Sequence, residues 1–109
     1  MSSDPGFVEY ICDQIEDAGG ITSRKMFGEW AIYSGRKVVV LVCDDRLFVR
    51  PTAAGRAFIG EPIESPPYPS AKPHFLIEDR IDDREWLIEL IRVTERELPP
   101  PKPKKQKAE

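Results

Sequence analysis

The residues of this chain that could do chemistry are few. His74 is its one histidine, and Cys12 and Cys43 are its two thiols. A histidine titrates near neutral pH and can act as acid, base or metal ligand. His74 follows Lys72-Pro73 and opens a short apolar run, with no partner group at a telling spacing, so it reads as structural. The cysteines lie far apart, with no Cys-x-x-Cys, and two thiols with one imidazole cannot close a tetrahedral zinc site. Both read as buried, reduced thiols behaving as small hydrophobes. Asp44-Asp45 fits a hairpin turn, and Asp82-Asp83 fits a helix cap, rather than a metal site. No glycine-rich phosphate loop is present, and no Gly-x-Ser-x-Gly elbow. The expectation is a protein without catalytic residues, bound metal or cofactor.

Binding chemistry is better represented. Arg24-Lys25 precedes Phe27 and Trp30, and Arg46 and Arg50 flank Phe48 at alternate positions. Cations interleaved with aromatic rings can hold a single-stranded nucleic acid by charge and stacking. Half-buried strands commonly have this composition too, and the RNP pattern of an RNA-recognition motif is absent. The formal charge of the 109 residues is −3. Residues 99–109 hold four lysines (Lys102, Lys104, Lys105, Lys107) and Glu109, a net +3, which leaves −6 on the first 98 residues. An acidic body is a poor general polyanion binder. The tail therefore reads as a disordered, solubilising Pro/Lys-rich terminus over 99–109, capable of weak nucleic-acid contact.

The elements that must position these residues follow from the periodicity. Phe7, Ile11 and Ile15 form a helical stripe, with Asp4 as N-cap, Pro5 at the first helical position and Gly19-Gly20 as the stop. Residues 25–33, 37–43 and 46–50 read as three strands joined by Ser34-Gly35-Arg36 and Asp44-Asp45, an antiparallel meander. A short helix over 52–59 and a loop with five prolines over 60–73 come next, the loop holding a short edge strand near 63–68. A strand over 74–78 and a helix over 84–97 complete the domain, 5–98. The inward face of that helix is Trp86, Leu90, Ile91, Thr94 and Leu98, and Pro99-Pro100-Pro101 stops it. Grouped strands make this α+β, an antiparallel sheet with helices on one face. Residues 38–43 are apolar on both faces of the sheet, so the second face needs a cover: a second copy of the chain, the Pro-rich loop or the short helix. The longest apolar run is six residues, far below the roughly 20 needed to span a bilayer. The start lacks a basic and apolar leader, so a cytoplasmic protein is expected, with no membrane association.

Residues 24–50 carry a resemblance. Arg24-Lys25-Met26-Phe27-Gly28, Ile32-Tyr33-x-Gly35, Val39 to Val42 and Asp44-Asp45-Arg46-Leu47-Phe48-Val49-Arg50 resemble the TfoX/Sxy N-terminal domain, with Glu29 and Ala31 standing where that family often has further glycines. The resemblance spans about residues 7–98. It implies a stand-alone N-terminal domain, without the C-terminal one, of α-β(3)-α-β(2)-α order and secretion-chaperone-like fold. TfoX/Sxy proteins are regulators of natural competence that work with the cyclic-AMP receptor protein, and they offer no catalytic residue to carry over. The expected function is a non-catalytic module that binds a protein partner in transcriptional regulation, through the hairpin containing Met26, Phe27, Trp30 and Tyr33. Aromatic and arginine side chains dominate interface energies, which is why these four are singled out. The alternative is a chaperone-like homodimer that holds an extended client.

Overall fold

A computed structural model describes residues 4–26 and 29–99. The first helix, α1 (Pro5–Ile15), starts where the sequence places its cap: the Asp4 carboxylate accepts from the Gly6 amide at 3.1 Å. A 3-10 turn, Glu16–Ala18, carries the chain to Gly19.

The sheet then differs from the expected meander. Residues 21–34 form two strands, β1 (Ile21–Met26) and β2 (Glu29–Ser34), paired from Ile21 opposite Ser34 to Met26 opposite Glu29. The single strand expected over 25–33 is therefore a hairpin, and the order becomes α-β(4)-α-β(2)-α. The edge strand escapes a hydrophobic-pattern reading because four of its six residues, Thr22 to Lys25, are polar and exposed. Next come β3 (Lys37–Cys43), β4 (Arg46–Val49), α2 (Ala53–Ile59), β5 (Ile63–Ser65), β6 (His74–Ile77) and α3 (Arg84–Glu97). The order across the sheet is β1-β2-β3-β4-β6-β5, and every pairing is antiparallel.

Strand alternation sorts the side chains into two layers. Ile32, Val40, Val49 and Phe75 stand in one cross-strand row, and Val42, Leu47 and Ile77 in the next. Both rows meet Val8, Ile11 and Ile15 of α1 and Leu87, Leu90 and Ile91 of α3 in the main core. α2 joins the same layer, with Phe58 against Trp86 at 5.5 Å between ring centroids. Leu87 is fully buried whereas Trp86 is only half-buried, so the inward face of α3 is rotated slightly from the predicted one.

The other face carries Ala31, Leu41, Phe48 and Leu76 in one row. Ala31 and Phe48 are 0% exposed and Leu76 is 9% exposed within the single chain. The Arg46 guanidinium lies 5.5 Å from the Phe48 ring centroid, and Pro67 of the Pro-rich loop is itself buried. Burial of Ala31, Phe48 and Leu76 therefore does not require a second copy, whereas Leu41, in the same row, is only half-buried. Among the described residues no helix is long and apolar enough to cross a membrane.

Candidate binding surface

The four residues singled out from the sequence do not share one surface. Trp30 pairs with Val42 and Tyr33 pairs with Val38. Three positions apart on a strand, they point to opposite faces. Trp30 packs against the main core, and its indole nitrogen is buried without a hydrogen-bond partner among the described residues. Tyr33 is half-buried on the face away from the helices. Met26 ends β1 opposite Glu29. Phe27 lies outside the described residues.

What Tyr33 does join is a set of cations. A hollow of about 430 Å³ is lined by Thr22, Ser23, Arg24, Tyr33, Gly35 and Arg36. A second, of about 400 Å³, shares Tyr33 and Arg36 and adds Lys37, Val38, Arg50, Leu98 and Pro99. The shared wall makes them two halves of one groove, running from the edge strand to the end of α3. Among the described residues no carboxylate lines either half.

Each wall has a local cause. β1 presents Arg24 on the same face as Tyr33, because Arg24 pairs with Ala31 and Thr22 with Tyr33. Gly35 opens the β2–β3 turn at φ +65°, a left-handed conformation that favours glycine, and so places Arg36 at the rim. The turn is fastened from below: the Gly35 amide donates to the Gly20 carbonyl at 2.9 Å, and Ser34 Oγ donates to the Gly19 carbonyl at 3.2 Å. Gly20 is itself at φ +64°, and a Cβ there would lie 3.0 Å from the Gly35 nitrogen, so the close approach also calls for glycine. A bulge in the β2–β3 register between Ile32 and Tyr33 turns Val38 towards Tyr33. Arg50 follows β4 and donates to the Val38 carbonyl at 3.4 Å.

The four cations are not equivalent. Lys37 Nζ is 3.3 Å from Glu95 Oε2 and donates to the Glu95 carbonyl at 2.9 Å, so its charge is largely matched. Arg24 and Arg36 are exposed and have no carboxylate partner among the described residues. Exposed cations converging on a half-buried ring attract an anion that also has a flat or apolar part. Alternating cations and rings on β4 were legible in the sequence. The participation of Arg36 was not, because it comes from a turn.

The remaining reactive groups stand apart. Nδ1 of His74 is 2.9 Å from the Lys72 carbonyl. Burial holds its pKa below the ordinary 6.5, against the backbone contact, which favours the charged ring. Cys43 is buried and its thiol is pushed up to about 11, first by burial and then by the Glu29 carboxylate. Cys12 is half-buried and raised by the same primary cause. Both thiols are free. Among the described residues no three His, Cys, Asp or Glu side chains come together as metal ligands.

The architecture is that of an α+β domain with a six-stranded antiparallel sheet, helices on one face and a basic groove at one end of the other. The TfoX N-terminal domain family matches residues 13–98, and the chain belongs to that family. It is also 37% identical over 107 residues to the uncharacterized 12.7 kDa protein of the trpE 5′ region of Spirochaeta aurantia, covering 98% of this chain and 93% of that one.

Proposed function

We propose that the chain is a non-catalytic, cytoplasmic binding module that acts in transcriptional regulation by adding an extended segment of a protein partner to β1. One observation carries this reading. β1 is a six-residue edge strand paired on one side only, and Thr22 to Lys25 are exposed along it. An open edge offers a row of backbone donors and acceptors to an incoming strand. Arg24 and Lys25 discourage self-pairing through like charge and favour an acidic partner segment. Membership of the TfoX N-terminal domain family supports the regulatory setting, and a role in competence, with a transcription regulator as partner, is the form it takes in TfoX/Sxy proteins. The chaperone-like homodimer has less support, since Ala31, Phe48 and Leu76 of the apolar row on the second face are already buried in one chain.

The test is affinity capture from nuclease-treated native lysate, followed by hydrogen–deuterium exchange on the chain with and without the captured partner. The expected result is a transcription factor or polymerase subunit, with new amide protection concentrated in residues 21–26. Recovery of only the chain itself, of an unfolded client, or of protection elsewhere would overturn the proposal.

A further inference from the structure

The groove beside Tyr33 has properties that strand addition does not use. The ring is flanked across the sheet by Thr22 on β1 and Val38 on β3. Arg24 is the next β1 residue on the same face as Thr22. Arg50 is held beside Val38 by its bond to that carbonyl, and Arg36 stands in the turn that ends β2. One half-buried ring therefore has a guanidinium on three sides. None of the three arginines has a carboxylate partner among the described residues. Among those residues, too, Tyr33 is the one aromatic side chain that lines the groove, and no acid lines it.

We infer that this groove binds a nucleoside polyphosphate, with the base stacked on Tyr33 and the phosphates held by Arg24, Arg36 and Arg50. A guanidinium fork takes phosphate oxygens in pairs, and an aromatic face accepts any base. The two halves of the groove, about 430 and 400 Å³, have the size of small-molecule sites, which run from about 300 to 1,000 Å³. One ring with three cations around it matches one base with a short chain of phosphates. A nucleic-acid strand fits less well, because successive bases need successive rings and the groove offers one. The rest of the body is acidic, at −6 over the first 98 residues, and repels a long polyanion. An acidic peptide would use the arginines but leave the exposed part of the ring without a matching partner.

The test is isothermal titration calorimetry of the full chain at about 50 mM salt, with EDTA present so that only the protein's cations neutralise the phosphates. The probes are ATP, GTP, adenosine, inorganic tripolyphosphate, a glutamate-rich peptide and a DNA single strand of about 15 nucleotides. ATP and GTP should bind within a few-fold of each other, since stacking tolerates either base. Adenosine and tripolyphosphate each carry half of the match and should bind at least about 10-fold more weakly than ATP. Arg36→Gln should weaken ATP binding about 10-fold, the size of one lost charge-assisted contact. Tyr33→Ala should weaken it about 10-fold as well, the size of a lost stacking contact. Tyr33→Phe keeps the ring and should bind like the parent, which separates stacking from any effect on folding. Arg96→Gln, on α3 and paired with Glu89, lies outside the groove and should also bind like the parent. Absence of binding at about 1 mM ATP overturns the inference. So does tripolyphosphate binding as tight as ATP, ATP binding indifferent to Arg36 and Tyr33, or tighter binding of the single strand or the peptide. Arg36 and Tyr33 lie off β1, so Arg36→Gln should leave partner-induced protection of residues 21–26 intact, and the two proposals fail separately.

Discussion

Replacing Trp30 separates a core role from a contact role at the aromatic position that the sequence makes most conspicuous. The ring packs against the main core, but its indole N–H is buried with no partner among the described residues. Two effects therefore oppose each other. Trp30→Ala removes the packed ring, and truncations of this kind cost about 3–5 kcal/mol when the ring is fully buried. Partial burial reduces that to about 2–4 kcal/mol. With a urea m-value of ~1–2 kcal/mol/M for a chain of this size, the midpoint should fall by about 1–4 M. Trp30→Phe loses only part of the ring, about 1 kcal/mol at ~25 cal/mol/Å². It also removes a buried, unsatisfied donor whose desolvation costs about 1–3 kcal/mol. The net change should run from neutral to about 2 kcal/mol of added stability. Urea titration followed by far-ultraviolet circular dichroism measures both. If Trp30→Ala leaves the midpoint unmoved, Trp30 is surface and the placement in the core is wrong. If Trp30→Phe is as damaging as Trp30→Ala, the indole nitrogen has a partner and the orphan-donor argument collapses.

Three further expectations follow from burial and charge. Phe48→Ala should cost about 3–5 kcal/mol in a monomer, since Phe48 is 0% exposed in one chain; unchanged stability combined with dissociation in sedimentation velocity would make Phe48 an interface residue instead. His74 should titrate below 6.5 when its ring carbons are followed by NMR. Its folded pKa is depressed, so its contribution to stability is complete above the unfolded value and is lost as pH falls through 6.5 towards the folded value; a His74→Gln variant that retains the same acid slope would refute this. Cys43, at about 11, should resist a disulfide reagent at pH 8 in the native state and react at once in denaturant. Its folded pKa is raised, so stability falls as pH climbs from the ordinary thiol value near 9 towards 11, and fast native labelling would contradict that.

Much of the scaffold was legible because its signals are local. Asp4 and Pro5 mark the start of α1 through a cap and a pre-set φ. Asp44 and Asp45 both take φ near +57°, at 56° and 58°, and form the tight turn their side chains tolerate. The β-branched run of β3 and the stripe of α3 follow from period alone. The first strand was missed for an equally physical reason. An edge strand with exposed polar residues has no apolar alternation to display, and Gly28, in the segment that joins Met26 to Glu29, was its best available signal.

The sequence by itself determined the class, α+β with a grouped antiparallel sheet, the caps and turns, and the membership of a family whose pattern runs through residues 24–50. These depend on neighbours along the chain. Tertiary structure alone decided which side of the sheet each aromatic faces, that Phe48 is buried without a second copy, and that Tyr33, Arg36, Arg50 and Pro99 meet in one groove. The last of these depends on a bulge that shifts the β3 register and on two glycine turns held together by the Gly35–Gly20 hydrogen bond. Such contacts join residues from four separate elements, and a one-residue change of register would send Tyr33 to the other face. No reading of composition or period contains that information, because it arises only when the strands are laid side by side.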